Sequence, residues 1–187
     1  MIVPRVIRDE YDNHDIFATL DKIVHFYFML SQNTIGWVST GIMSEISPDT
    51  YVFGSICGTV ESIKQLSAGG RIADAFTLLR KYHDATIINA YVNQRLDAEF
   101  GIDNLIVKEM DDWITGKRGM DKYQVMSEYL RDKQPELGRL LPYEGTYEYI
   151  RNRCNRFAHH LSYTTIVLND CTTYRNGKEK YLSILKT

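Results

Sequence analysis

Residues 71–96 read RIADAFTLLRKYHDATIINAYVNQRL, and this stretch decides the fold class. Apolar or packable side chains recur at spacings of three and four residues, at Ile72, Ala75, Phe76, Leu79, Tyr82, His83, Thr86, Ile87, Ala90 and Tyr91. Such spacing places them on one face of an α-helix. The stretch therefore predicts a long central helix that begins at Arg71 and ends between Asn93 and Leu96.

Three helices are predicted before the central helix. The first shows the same spacing and should end at the polar run 32–34, and the third begins with a favourable cap, Ser47, before a proline. Glycines 69 and 70 end the third helix. The predicted ranges are Glu10 to Ser31, Ile35 to Glu45, and Pro48 to Leu66.

The chain after the central helix is also predicted to be helical. The predicted ranges are Asn104 to Thr115, residue 121 or 122 to Asp132, Pro135 to Leu141, and a helix capped by Thr146 that runs to Asn169; the tail 172–187 adds a last docked helix near residues 181–185. The sequence contains no strand hairpin, repeat or low-complexity run. It therefore predicts an all-α helical bundle in a single domain, residues 1–187, with N-terminal helices (1–66), a core (71–169) and the tail.

The composition narrows the compartment and the class of partner. A formal net charge of −2 gives no overall attraction to nucleic acid, so a nucleic-acid contact needs a local basic patch. Three widely spaced cysteines fit neither a disulfide framework nor a zinc site, and the N-terminus lacks an apolar signal core, which together predict a cytoplasmic protein. Polar residues interrupt the apolar stretch 23–43, so no membrane contact is expected.

The densest basic patch is RNRCNRFAHH, residues 151–160, with three arginines and two histidines. An apolar stripe through Ile150, Cys154, Phe157 and Leu161 should face the core. Arg153, Arg156 and His160 then share one side of the helix, and Asn152, Asn155, Arg156 and His159 share the adjoining side. These residues are either an ordinary solvated helix face or a site that binds an anion such as phosphate.

Two segments resemble the HEPN superfamily, the higher eukaryotes and prokaryotes nucleotide-binding domains. The string 153–159, RCNRFAH, is similar to the family's arginine–spacer–histidine signature, and 73–82, ADAFTLLRKY, is similar to a helix of several bacterial members. Cys154 stands where the commonest form of the signature has its arginine. The resemblance therefore leaves open whether Arg153 pairs with His159 or with His160.

The resemblance implies a helical bundle and a metal-independent endoribonuclease, often a toxin or an antiviral defence effector, which works as a homodimer and can have an antitoxin or defence partner. His159 or His160 would transfer protons, Arg153 and Arg156 would bind the phosphate, and Asn152 or Asn155 would orient the RNA backbone. RNA is required because DNA lacks the attacking 2′-hydroxyl group. The alternative is a non-catalytic module that binds a nucleotide, RNA or a partner protein.

Further residues were assigned weaker roles. Arg151 is a candidate for substrate binding. Arg80 is a second candidate if the central helix packs against the helix that contains residues 151–160, which we call the motif helix. Arg80 and Asp84 also have the spacing of an ordinary surface ion pair. Adjacent histidines do not ligate one ion easily, so neither a metal nor a cofactor is expected. Cys154 is expected to be an inert core residue, and the acidic run Glu109 to Asp112 a solvated face.

Overall fold

The computed structural model describes residues 11–37, 49–104, 107–140, 144–159, 168–169 and 178–186. Secondary structure in these ranges is helical, apart from an isolated bridge between Gly101 and Asn104. The helices are α1 (Ile16–Trp37), α2 (Asp49–Ala68), α3 (Ile72–Glu99), α4 (Lys108–Ile114), α5 (Tyr123–Lys133), α6 (Pro135–Leu140), α7 (Glu144–Ala158) and α8 (Glu179–Leu182), followed by a 3₁₀ turn (Ser183–Lys186). The predicted all-α helical bundle is confirmed.

Helix α3 is the centre of the bundle, as its sequence predicts. It packs against α2, α5 and α7, and α1 packs against α2 and reaches α3 through Tyr27 and Tyr82. A short connection turns the chain from α2 into α3: Gly70 has a φ of 77°, which favours glycine, and the Arg71 amide donates to the Leu66 carbonyl at 2.8 Å. Consecutive helices are thereby packed side by side.

The main hydrophobic core lies between α1, α2, the first half of α3, and α7. Each of these helices contributes buried side chains, and so does Tyr11, whose hydroxyl donates to the Ser67 carbonyl. The buried members on the helices include Ile16, Ile56, Ile63, Ile72, Phe76, Cys154 and Phe157, with Leu182 and Leu185 from the C-terminal turn. Phe76 and Phe157 stack with ring centroids 4.4 Å apart, which joins α3 to α7.

A second, smaller core lies between the second half of α3 and helices α4 and α5. It contains Ile87, Tyr91 and Val92 from α3, and Val107, Met110, Met126 and Leu130 from the following segment. The apolar face of α3 therefore serves two cores in succession. Among the described helices, none is long and apolar enough to cross a membrane.

Predicted helix boundaries are wrong in α1, α3 and α4; α3 continues to Glu99, beyond its predicted end between Asn93 and Leu96. Helix α1 does not end at residues 32–34 but continues to Trp37, so no separate helix begins at Ile35; the rest of that predicted helix lies outside the described residues. Gln, Asn and Thr each cost at most about 0.7 kcal/mol in a helix, which is too little to end it where neighbouring turns pack well. Helix α4 begins at Lys108 instead of Asn104, because Asn104 pairs with Gly101 in the bridge.

The boundaries of the motif helix also differ from the prediction. Helix α7 begins at Glu144, so Thr146 lies inside it, and it ends at Ala158, eleven residues before Asn169. Leu168 and Asn169 lie in a turn, where they bond to the first turn of α3: the Leu168 carbonyl accepts from the Ile72 amide at 3.2 Å, and Asn169 Oδ1 accepts from the Asp74 amide at 3.3 Å. Asn favours such capping positions over a helix interior.

Candidate functional site

Helix α7 has one buried stripe and one exposed face. Ile150, Cys154 and Phe157 are buried, as predicted. On the opposite side of the helix, four side chains at spacings of three and four residues are exposed: Tyr149, Asn152, Arg156 and His159. We call these four residues the outward face. A polar site on α7 that is accessible to a large ligand lies on this face.

The buried stripe fixes the orientation of the outward face. Phe157 stacks on Phe76 and also contacts the Tyr181 ring edge-on, at 6.1 Å between centroids. Cys154 is fully buried, and burial raises the pKa of its thiol to about 11. At neutral pH this thiol stays protonated, so Cys154 is a packing residue and not a nucleophile. Rotation of α7 about its axis would expose these groups, which keeps Arg156 and His159 turned outward.

Arg153 lies on a flank of α7 and not on the outward face. Its guanidinium donates a hydrogen bond to the Tyr149 hydroxyl and lies 5.7 Å from the centroid of that ring. It also lies 6.0 Å from the centroid of Tyr181. At about 100° per residue, Arg153 and His159 project from the helix about 120° apart. Within one chain, the histidine at position 159 is therefore closer in direction to Arg156 than to Arg153.

The opposite flank of α7 faces α3 and α5. The Arg151 guanidinium lies 5.6 Å from the Tyr123 ring centroid. Arg80 pairs with Asp84 at 3.6 Å, and both lie near enough to Cys154 to act on its pKa, although burial is the larger effect. The central helix therefore packs against the motif helix, which was the condition for a role of Arg80. The Arg80 ion pair is partly exposed and is worth a few tenths of a kcal/mol, about 0.3–0.5.

Asn155 lies between this flank and the outward face. It is half-buried, and among the described residues its Oδ1 atom has no hydrogen-bond partner. The backbone carbonyl of Asn155 accepts from the His159 amide at 3.1 Å, which closes the last turn of the helix. His159 is thus still held by the hydrogen-bonding pattern of the helix. The Asn155 Oδ1 atom is buried, so Asn155 does not present it to a ligand in this arrangement.

The predicted site residues thus separate into groups. Asn152, Arg156 and His159 come together on the outward face; Arg153 lies on one flank; Arg151 and Arg80 lie on the other; and His160 lies outside the described residues. The sequence did not indicate Tyr123 and Tyr181, which contact these arginines, and it favoured an ordinary core or surface position for Tyr149. The four-residue spacing of Tyr149 and Arg153 is a signal that indicates their contact, whereas Tyr123 and Tyr181 reach α7 only through the tertiary fold.

Within the ranges that the structure describes, no three His, Cys, Asp or Glu side chains cluster so as to hold a metal ion. No protein-family model, curated protein or solved structure matches this chain. A function is therefore inferred from the chemistry of α7 and from the resemblance of its sequence to the HEPN signature.

Proposed function

We propose that the chain is a HEPN-like, metal-independent endoribonuclease and that the outward face of α7 is its RNA-cleaving surface. One observation carries the proposal: Arg156 and His159 are both exposed, one helical turn apart, on the same face. A permanent cation beside an imidazole, which can accept or donate a proton, is the pair that phosphodiester cleavage by a 2′-hydroxyl group requires.

The reaction needs two proton transfers and one charge to be neutralised. A base takes the proton of the ribose 2′-hydroxyl, and the 2′-oxygen bonds to phosphorus. The bond from phosphorus to the 5′-oxygen then breaks, and an acid gives that oxygen a proton. Arg156 offsets the negative charge that develops on the phosphate oxygens. The products are a 2′,3′-cyclic phosphate and a 5′-hydroxyl end.

The outward face supplies His159 for one of the two proton transfers. The second proton-transfer group is either His160 or the His159 of a second copy of the chain. The second arrangement is a homodimer in which two outward faces meet around one RNA strand. In such a dimer, Arg153 of one copy also binds the reacting phosphate at the site of the other copy, although it points away from His159 of its own chain. The biological role that fits is that of a toxin or a defence effector in the cytoplasm, controlled by a partner protein.

A second candidate function has one observation in its favour. Tyr149 and Tyr181 contact the guanidinium of Arg153, so the outward face of one chain presents Arg156 without the other two arginines of the motif. A surface with one arginine and one histidine also suits a module that binds a nucleotide, RNA or an acidic protein segment without cutting it. Mutation separates the two functions, because proton transfer needs histidine and binding does not.

The test uses purified protein and a mixed pool of single-stranded RNA in the presence of a chelator. We expect wild type to cut the pool, and His159→Ala to lose at least a hundredfold in rate while it keeps its helical content and RNA affinity. His25→Ala is the matched control, since His25 is an exposed histidine on α1 and not on α7. Binding without any cutting by the wild type, over a range of pH, supports the binding module and contradicts the enzyme.

A further inference from the structure

Tyr149 is the most unusual member of the outward face. It is a large aromatic side chain, 58% exposed, on a helix whose other exposed side chains in the motif are polar. Exposure of a single aromatic residue is ordinary on a protein surface. Here, however, the ring shares a face with Asn152, Arg156 and His159, and an arginine that does not lie on that face contacts it.

Arg153 restricts the orientation of the Tyr149 ring. It bonds to the hydroxyl group at one end of the ring, four residues along the same helix. Arg153 itself contacts Tyr181, which packs on Phe157 and so on the main core. The Tyr149 side chain is therefore linked to the core through its hydroxyl end, while much of its surface stays in solvent. An aromatic ring that is already ordered loses little conformational entropy when a flat ligand stacks on it.

We propose that Tyr149 is a stacking site for one unpaired nucleobase of a single-stranded RNA, and that Arg153 is the positioning residue for its ring. Bases stack on exposed aromatic side chains in proteins that bind single strands, with little dependence on sequence. The proposal rests on the proposed function of the outward face, because it gives that face its substrate class: single-stranded and not duplex RNA.

The spacing along α7 gives the position of the stacked base. Tyr149 precedes Arg156 by seven residues and His159 by ten, which corresponds to about 10 and 15 Å along the helix axis. A base on Tyr149 is therefore not a base of the phosphodiester bond that His159 would act on. It belongs to a nucleotide farther along the same strand, and stacking there would place the strand along the outward face.

The test measures binding of a 2′-O-methyl RNA 12-mer, which cannot be cut by 2′-hydroxyl attack, and of 12-mers with one abasic nucleotide at each position in turn. We expect wild type to bind the intact strand, and to bind about tenfold more weakly when one particular base is absent. Tyr149→Ala should bind the intact strand about tenfold more weakly and should no longer distinguish that abasic position. Tyr149→Phe retains the ring and should still distinguish it.

Tyr51→Ala is the matched control, because Tyr51 is a 79% exposed tyrosine on α2. Tyr149→Gln is measured beside Tyr149→Ala, so that if one variant does not fold, the other still tests the stacking site. If wild type binds RNA and both Tyr149 variants respond to the abasic series as wild type does, the stacking site is wrong and the proposed function stands. If wild type binds none of the strands, both proposals are wrong.

Discussion

Arg153 and Arg156 lie three residues apart on α7 but have different surroundings. Arg153 contacts two tyrosine rings and a hydroxyl group, whereas the Arg156 side chain is exposed. A cation near an aromatic ring contributes about 0.5–1 kcal/mol at an exposed site and more when it is partly buried. An exposed arginine contributes little to stability. Variants at the two positions should therefore differ: loss of the Arg153 side chain should lower stability, and loss of the Arg156 side chain should weaken RNA binding.

We predict that Arg153→Ala lowers the free energy of unfolding by about 1–2 kcal/mol, since it removes contacts with two rings and a hydrogen bond. Arg156→Ala should change it by less than about 0.5 kcal/mol. Instead, Arg156→Ala should weaken RNA binding and reduce the slope of log K against log salt by about 0.7, as expected for one lost contact with a single strand. Denaturant titration and binding at three salt concentrations measure these effects, with the exposed Arg139→Ala on α6 as control. Equal stability losses at 153 and 156 would contradict the assignment.

The pH dependence of stability has an identifiable source in His83. Burial lowers the pKa of His83, and the nearby Asp84 only partly opposes this effect. The unfolded state then binds a proton more readily than the folded state. The contribution of neutral His83 to stability is present above pH 6.5, the ordinary histidine pKa, and is lost as the pH falls toward its lower folded value.

We therefore expect His83→Gln to be less sensitive than wild type to a change from pH 7.5 to pH 5. Urea titrations at both values measure the difference, and His25→Gln, at an exposed histidine, should lose stability as wild type does. A wild-type decline that persists unchanged in His83→Gln would show that other groups cause it.

At the scale of elements, the start of α3 depends on residues from distant parts of the chain. The Leu168 carbonyl and the Asn169 side chain accept from amides in the first turn of α3, and Lys178, 2% exposed, donates to the Gly70 carbonyl at 2.9 Å. These contacts satisfy backbone groups at the junction of α2 and α3 that the two helices themselves leave unpaired. The C-terminal part of the chain thereby stabilises the central helix.

We predict that Asn169→Ala lowers the free energy of unfolding by about 1 kcal/mol, the usual cost of losing an N-terminal cap. Asn169→Asp retains an acceptor at the positive end of α3 and should lose less. Thermal unfolding followed by circular dichroism compares the two variants. If both lose the same amount, the hydrogen bond to the Asp74 amide is not the cause.

The sequence predicted the elements better than their ends. Periodic apolar residues identified α3 and α5 within a few residues, and cap, proline and glycine signals identified α2 and α6, because both kinds of signal are local in the sequence. The cap at Asn169 was not predictable in this way, since it depends on a contact between residues 95 positions apart. The buried stripe of α7 was predicted, but the direction of Arg153 was not, because Tyr181 reaches it only in the folded chain.

In the molecule as a whole, α3 links two hydrophobic cores. A ring of polar side chains joined by hydrogen bonds and ion pairs includes Tyr91 of the smaller core. Arg95 bonds to the Tyr91 hydroxyl at 3.0 Å and to Glu109 at 2.7 Å; Glu109 pairs with Arg118 at 2.7 Å. Arg118 and Tyr91 both bond to Asp121, at 2.9 and 3.0 Å. The sequence predicted that the acidic run containing Glu109 is a solvated face. Instead, Glu109 is part of this network.

We predict that Arg95→Met lowers the free energy of unfolding by about 2 kcal/mol, because it removes the guanidinium that bonds to both Tyr91 and Glu109 in this network. Lys108→Met, which breaks an exposed pair with Asp112, should cost less than about 0.5 kcal/mol. RNA cleavage by Arg95→Met should persist at temperatures where it remains folded, since the ring lies in the smaller core and α7 packs in the main one. Loss of cleavage in a folded Arg95→Met protein would contradict this separation.

The proposed cleavage at the outward face of α7 uses the 2′-hydroxyl group of the RNA itself, and removal of that group at a single nucleotide tests the proposal. A labelled single-stranded RNA is mapped for its cleavage site, and the same strand is then made with a single 2′-deoxy nucleotide on the 5′ side of that bond. We predict that the wild-type protein, with a chelator present, leaves a 2′,3′-cyclic phosphate at the mapped site and does not cut the 2′-deoxy strand there. The His159→Ala variant should cut neither strand. Equal cleavage of both strands, or undiminished cleavage by His159→Ala, would contradict the claim.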